Sequence, residues 1–99
     1  MCGAPKQGGA LAGIDLGAQT VIQGQVWHDG APVAGAYVRL LNEDDEFTAE
    51  VVTSPEGEFR FFAAPGSWTL RALSRQGNGE LAVDATRGVN EVALSVALA

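Results

Sequence analysis

From Thr20 onward apolar and polar residues alternate along this chain, and turn-forming residues break the alternation every 8 to 12 positions. That is the pattern of short strands in an all-β domain. Seven strands are predicted, over residues 20–27, 36–41, 47–53, 58–62, 68–74, 80–86 and 91–98. Asp29-Gly30, Ser54-Pro55-Glu56-Gly57, Pro65-Gly66 and Gly77-Asn78-Gly79 read as the reversals, because Gly, Asn and Asp tolerate positive φ and Pro presets the second position of a turn. Helical apolar spacing is absent over any stretch of ten residues, so a short turn in the N-terminal segment is the most helix expected.

A period of two divides each strand into two faces. Ile22, Gly24, Val26, Val38, Leu40, Ala49, Val51, Phe59, Phe61, Trp68, Leu70, Ala72, Leu81, Val83, Val92, Leu94 and Val96 fall on one of them and form the predicted core. Two antiparallel sheets packed about 10 Å apart around such a filling make a seven-stranded β-sandwich.

Composition narrows the picture. With 99 residues the chain has room for one domain. Residues 1–18 carry Gly3, Gly8, Gly9, Gly13 and Gly17 with no period of 2 or 3.6, and are expected to be a flexible arm preceding a sandwich over 19–99. Leu11, Ile14 and Leu16 could seat the inner half of that arm on the domain. The net charge of −6 repels phosphate backbones and anionic lipid, so neither nucleic acid nor membrane is an expected partner. A single cysteine, Cys2, cannot form an internal disulfide, and residues 1–17 hold no apolar run of signal-peptide length; a cytoplasmic protein is expected.

Cys2 is the reactive side chain. Removal of Met1 would leave its thiol beside a free α-ammonium, which favours the thiolate. A Gly-rich tether of this length would carry the sulfur roughly 20 to 25 Å from the sandwich. A metal site is disfavoured: His28 is the only histidine, no Cys-x-x-Cys occurs, and His28 beside Asp29-Gly30 reads as a water-exposed turn residue. Asn42, Glu43, Asp44, Asp45 and Glu46 concentrate carboxylates but lack the spacing of a calcium loop, and read as a solvated turn. Neither a Gly-x-Ser-x-Gly elbow nor a Cys–His pair at a recognisable spacing is present, so no catalytic residue, metal or cofactor is assigned and the protein is expected not to be an enzyme.

The outward face offers a different candidate. In an immunoglobulin-type topology the first, second, fifth and fourth predicted strands share a sheet, which would place Trp27, Tyr37, Arg39, Arg60, Phe62 and Arg71 on one surface. Three of the five arginines would then converge there among aromatic residues, the composition enriched at interface hot spots. The surface could meet a protein partner or a second copy of the chain; a weaker alternative is that Arg39, Arg60 and Arg71 receive a small oxyanion.

Two resemblances bear on these expectations. The runs Ile22-Gln23-Gly24-Gln25-Val26, Asp29-Gly30-Ala31-Pro32-Val33-Ala34-Gly35-Ala36-Tyr37-Val38, Val51-Val52-Thr53, Gly57-Glu58-Phe59 and Pro65-Gly66-Ser67-Trp68-Thr69-Leu70 resemble the carboxypeptidase regulatory-like domain family, which implies an immunoglobulin-like or transthyretin-like sandwich. Trp68 stands where that family more often has Tyr. Transthyretin-like enzymes that hydrolyse a purine-derived ring use several histidines and a Tyr-Arg-Gly-Ser terminus; this chain has one His and ends Val96-Ala97-Leu98-Ala99, so that activity is not expected. The Met-Cys-Gly start and the run Phe59-Arg60-Phe61-Phe62-Ala63-Ala64-Pro65-Gly66-Ser67-Trp68-Thr69-Leu70-Arg71 resemble a family of small actinobacterial proteins encoded beside a thiosulfate sulfurtransferase. That resemblance implies an accessory role in sulfur metabolism, with the sulfurtransferase as partner and Cys2 as sulfur acceptor. The alternative expectation is an interaction module in which Cys2 is incidental.

Overall fold

The computed structural model describes residues 19–98. Eight strands follow one another: β1 (Thr20–His28), β2 (Ala31–Pro32), β3 (Tyr37–Leu41), β4 (Phe47–Val52), β5 (Glu58–Ala63), β6 (Gly66–Ser74), β7 (Gly77–Ala85) and β8 (Gly88–Ser95). The all-β sandwich is therefore as expected, with the two-residue β2 added. One sheet runs β4-β3-β6-β7; in the other β1 lies between β5 and β8, with β2 paired to its end. The pairing of β1 with β8 is parallel, whereas every other pairing of named strands is antiparallel, so the fully antiparallel expectation is corrected there.

Strand order departs from the immunoglobulin pattern. After β1, the chain turns at Asp29 and Gly30, both at positive φ (54° and 81°), and His28 pairs with Ala31 across this two-residue loop. It then crosses to the other sheet before β3. Thr53 pins that crossing: its hydroxyl donates to the Val33 carbonyl (2.7 Å) and accepts from the Ala36 N–H (2.8 Å). Its own N–H donates to the Ala36 carbonyl (2.9 Å), and its carbonyl accepts from Gly35 (3.2 Å). Thr53 is buried, so its hydroxyl satisfies two backbone groups that lie away from water. Val33 and Ala36, on either side of the crossing, join the core as a result.

Between the sheets, Ile22, Val26, Val38, Leu40, Phe59, Leu70, Ala72 and Leu94 are almost completely buried, and the Phe59 and Phe61 rings pack tilted at 6.1 Å. Trp68 is only half-buried, a correction to its expected core position: it packs against the core edge while its indole N–H donates to the Ala64 carbonyl (2.8 Å). At the register shift between Leu40 and Leu41, Phe47 of β4 comes opposite Leu41 while pairing of β3 with β6 continues unbroken, so Leu41 keeps the outward side of its strand and is nevertheless buried, outside the core cluster.

Gly77-Asn78-Gly79 is not a reversal. The β6–β7 hairpin turns at Arg75 and Gln76, with Ser74 Oγ accepting from the Gln76 N–H and donating to the Gly77 carbonyl. Gly77 and Gly79 lie in β7 because the end of the chain passes close over them: a Cβ on Gly79 would collide with the Ser95 carbonyl, and one on Gly77 with Ala97. Gly24 in β1 meets the Val92 carbonyl of β8 in the same way. These glycines let the last segment bind β1 on one side and bridge to β7 at Asn78 and Ala97 on the other.

Substituting Thr53 by Val keeps the shape but leaves the Ala36 N–H and Val33 carbonyl unpaired, and should cost roughly 2 to 4 kcal/mol in urea unfolding. Phe59→Ala should cost about 3 to 5 kcal/mol, as for a fully buried aromatic, with Trp68→Ala clearly smaller. An unchanged urea midpoint for Thr53→Val, or the opposite order for the two aromatic variants, would contradict these placements.

Candidate functional site

The in-and-out alternation holds at Trp27, Tyr37, Arg39, Arg60, Phe62 and Arg71: each sits on the outer side of its sheet. They do not form one surface. Arg39 on β3 and Arg71 on β6 belong to the four-stranded sheet, while Arg60 pairs with Gln23 on β1 in the other. The three-arginine surface is thus corrected to two separate faces, because β1 and β3 lie in different sheets once the chain crosses at 33–36.

On the four-stranded face the registers align two rows across the strands. Glu50, Arg39, Arg71 and Glu80 stand side by side on β4, β3, β6 and β7. Arg39 Nε donates to Glu50 Oε2 (2.8 Å), and Arg71 donates through Nε (2.8 Å) and Nη2 (2.7 Å) to Glu80 Oε2. The neighbouring row is Val52, Tyr37, Leu73 and Asn78, in which Tyr37 is 51 % exposed. Phe47, at the start of the edge strand β4, is more exposed still. Sequence reasoning missed Phe47 as part of this face; its aromatic side chain opening an edge strand beside the acidic turn is the signal that could have found it.

The opposite face is built differently. Arg60 Nε donates to Gln23 Oε1 (3.2 Å), and Gln23 Nε2 donates to Glu91 Oε1 (2.6 Å), so one polar chain crosses β5, β1 and β8. Gln25 in the next row donates to the Glu56 carbonyl (2.9 Å). With Trp27 and Glu58 these residues line a shallow groove of about 180 Å³. Phe62 lies beyond it, 57 % exposed, beside Val21 of β1.

The remaining candidates have local roles. His28 is half-buried and its Nδ1–H donates to the Val96 carbonyl (3.0 Å), so it fastens β1 to the chain end instead of standing free in water as expected. The acidic turn is organised by Asn42, whose Oδ1 accepts from the N–H groups of Asp44 (2.9 Å) and Glu46 (3.0 Å), with Asp45 at φ 60°. Among the described residues no three His, Cys, Asp or Glu side chains are grouped to hold a metal ion. Cys2 and the N-terminal arm lie outside the described residues.

These strands and faces define a small β-sandwich domain. A solved structure agrees on the fold: the crystal structure of a DUF3823 family protein from Parabacteroides merdae superposes with a TM-score of 0.60 at 20% identity, over 81% of this chain and 46% of that one. The chain belongs to the family described as "Protein of unknown function (DUF1416)", whose model matches residues 2–96. Two Mycobacterium tuberculosis proteins, "Uncharacterized protein Rv0814c" and "Uncharacterized protein Rv3118", are each 58% identical over 99 residues, covering 97% of this chain and 99% of theirs.

Both ion pairs on the four-stranded face are well solvated, with arginine side chains 43 % and 42 % exposed. A double-mutant cycle on Arg39 and Glu50 should give a coupling of about 0.2 to 1 kcal/mol, and less at high salt. A coupling of several kcal/mol would mean that the pair holds the fold together rather than orienting a surface arginine.

Proposed function

We propose that this protein is a non-enzymatic accessory module that docks a thiosulfate sulfurtransferase and accepts sulfur on Cys2. The single observation supporting a docking role is the outer face of the four-stranded sheet, where an exposed Tyr37 stands next to Arg39 and Arg71 on a rigid platform. Tyr and Arg carry much of the energy of protein interfaces when they sit near the centre of a patch. The partner and the sulfur chemistry come from the resemblance to the Met-Cys-Gly family, whereas the cytoplasmic setting, in which a lone thiol stays reduced, rests on the single cysteine. In the transfer step, the Cys2 thiolate attacks the outer sulfur of the donor's persulfide. The donor's S–S bond breaks as a new one forms at Cys2, and the donor cysteine leaves as a thiolate, with no net oxidation.

A second reading keeps the docking and drops the chemistry: a plain interaction module, with Cys2 incidental. It is favoured by the position of the exposed face on β3 and β6, two strands of the described sandwich.

One experiment separates the two. Mixed with a sulfurtransferase charged by thiosulfate, the intact protein should gain the mass of one sulfur atom, mapped to Cys2. Cys2→Ser should abolish that gain while leaving binding unchanged, and Tyr37→Ala should weaken binding about tenfold or more. Binding without sulfur on Cys2 selects the plain interaction module. Absence of binding contradicts both readings.

A further inference from the structure

The row Glu50-Arg39-Arg71-Glu80 contains an arrangement that the fold does not require. Arg39 and Arg71 are direct cross-strand partners. Like charges so placed destabilise a sheet, because their Cβ atoms stand only about 4.5 to 5.5 Å apart. The two glutamates offset this from the outside of the row. Glu50 takes Nε of Arg39; Glu80 takes Nε and Nη2 of Arg71. Both terminal nitrogens of Arg39, and Nη1 of Arg71, are left without a hydrogen-bond partner among the described residues.

We infer that Arg39 and Arg71 form a subsite for a small tetrahedral oxyanion of charge −2, with sulfate and thiosulfate as its simplest examples. Two guanidinium groups present planar donor edges, the geometry that suits oxygens carried on one central atom. A dianion between them would place negative charge where the two positive charges of the row adjoin. Tyr37 stands two residues along β3 from Arg39, on the same face, and can add its hydroxyl as a donor. Arg60 lies on the other sheet and takes no part. The inference does not rest on docking of a sulfurtransferase, since it concerns a free anion and the isolated protein.

The test is a titration of the isolated, uniformly ¹⁵N-labelled protein with sodium sulfate and with sodium thiosulfate at low ionic strength, following the arginine Nε–H signals. Sodium chloride at matched ionic strength reports screening alone. Saturable shifts are expected at Arg39 and Arg71 and absent at Arg60. Arg39→Gln and Arg71→Gln should each weaken binding at least tenfold, and Arg60→Gln should not. Glu50→Gln and Glu80→Gln should tighten it several-fold, because each removes a competing carboxylate; this arm decides the matter even if an arginine variant folds poorly. Shifts reproduced by chloride, binding that survives Arg39→Gln and Arg71→Gln, or weakening by the glutamate variants would overturn the inference.

Discussion

The hydroxyl of Thr53 holds the point at which this chain changes sheets. Between β2 and β3 four residues cross from one layer of the sandwich to the other; the Val33 N–H still donates to Val26 of β1, but the Val33 carbonyl and the Ala36 N–H turn to the Thr53 side chain. Thr53 satisfies the Val33 carbonyl and the Ala36 N–H with one side-chain oxygen, and Ala36 again with its own N–H. An unpaired polar group in that position would carry the desolvation penalty of a buried amide. Because the crossing is fixed there, β1 and β3 face each other across the core instead of lying side by side, and Val33 and Ala36 enter the core.

That topology determines what the surface can do. β3 and β6 become the central strands of one sheet, so Tyr37, Arg39, Leu73 and Arg71 form a flat patch with neighbours on both sides. The flanking glutamates on β4 and β7 orient the arginines without burying them. On the other sheet the central strand is β1, and Gln23 relays between Arg60 and Glu91, producing a polar surface with a groove. Two faces of different chemistry on a rigid frame suit a protein whose proposed work is recognition, with the proposed sulfur chemistry delegated to a residue far from the core in sequence.

Strand positions and the inward side of each strand were legible in the sequence, because period-two burial leaves a direct mark on residue type. The outward side of all six candidate interface residues followed from the same rule. Sheet membership left no such mark: alternation is identical whichever layer a strand joins, so Arg60 was grouped with Arg39 and Arg71 by an assumed strand order and lies on the opposite sheet. Gly77 and Gly79 looked like turn residues because glycine serves both turns and close backbone approach, and only the path of the last strand distinguishes the two. Trp68 matched the apolar alternation, yet its indole N–H finds its partner at the sheet edge, which draws the ring out of the centre of the core.

The four-stranded face, and not the grooved one, is the proposed working surface. That role is tested most directly by adding an unlabelled thiosulfate sulfurtransferase to the ¹⁵N-labelled protein and mapping the perturbed backbone amides. They are expected to cluster on β3 and β6, around Tyr37, Arg39, Arg71 and Leu73. A cluster on β1, β5 and β8 around Gln23, Arg60 and Glu91, or no perturbation at all, would contradict it.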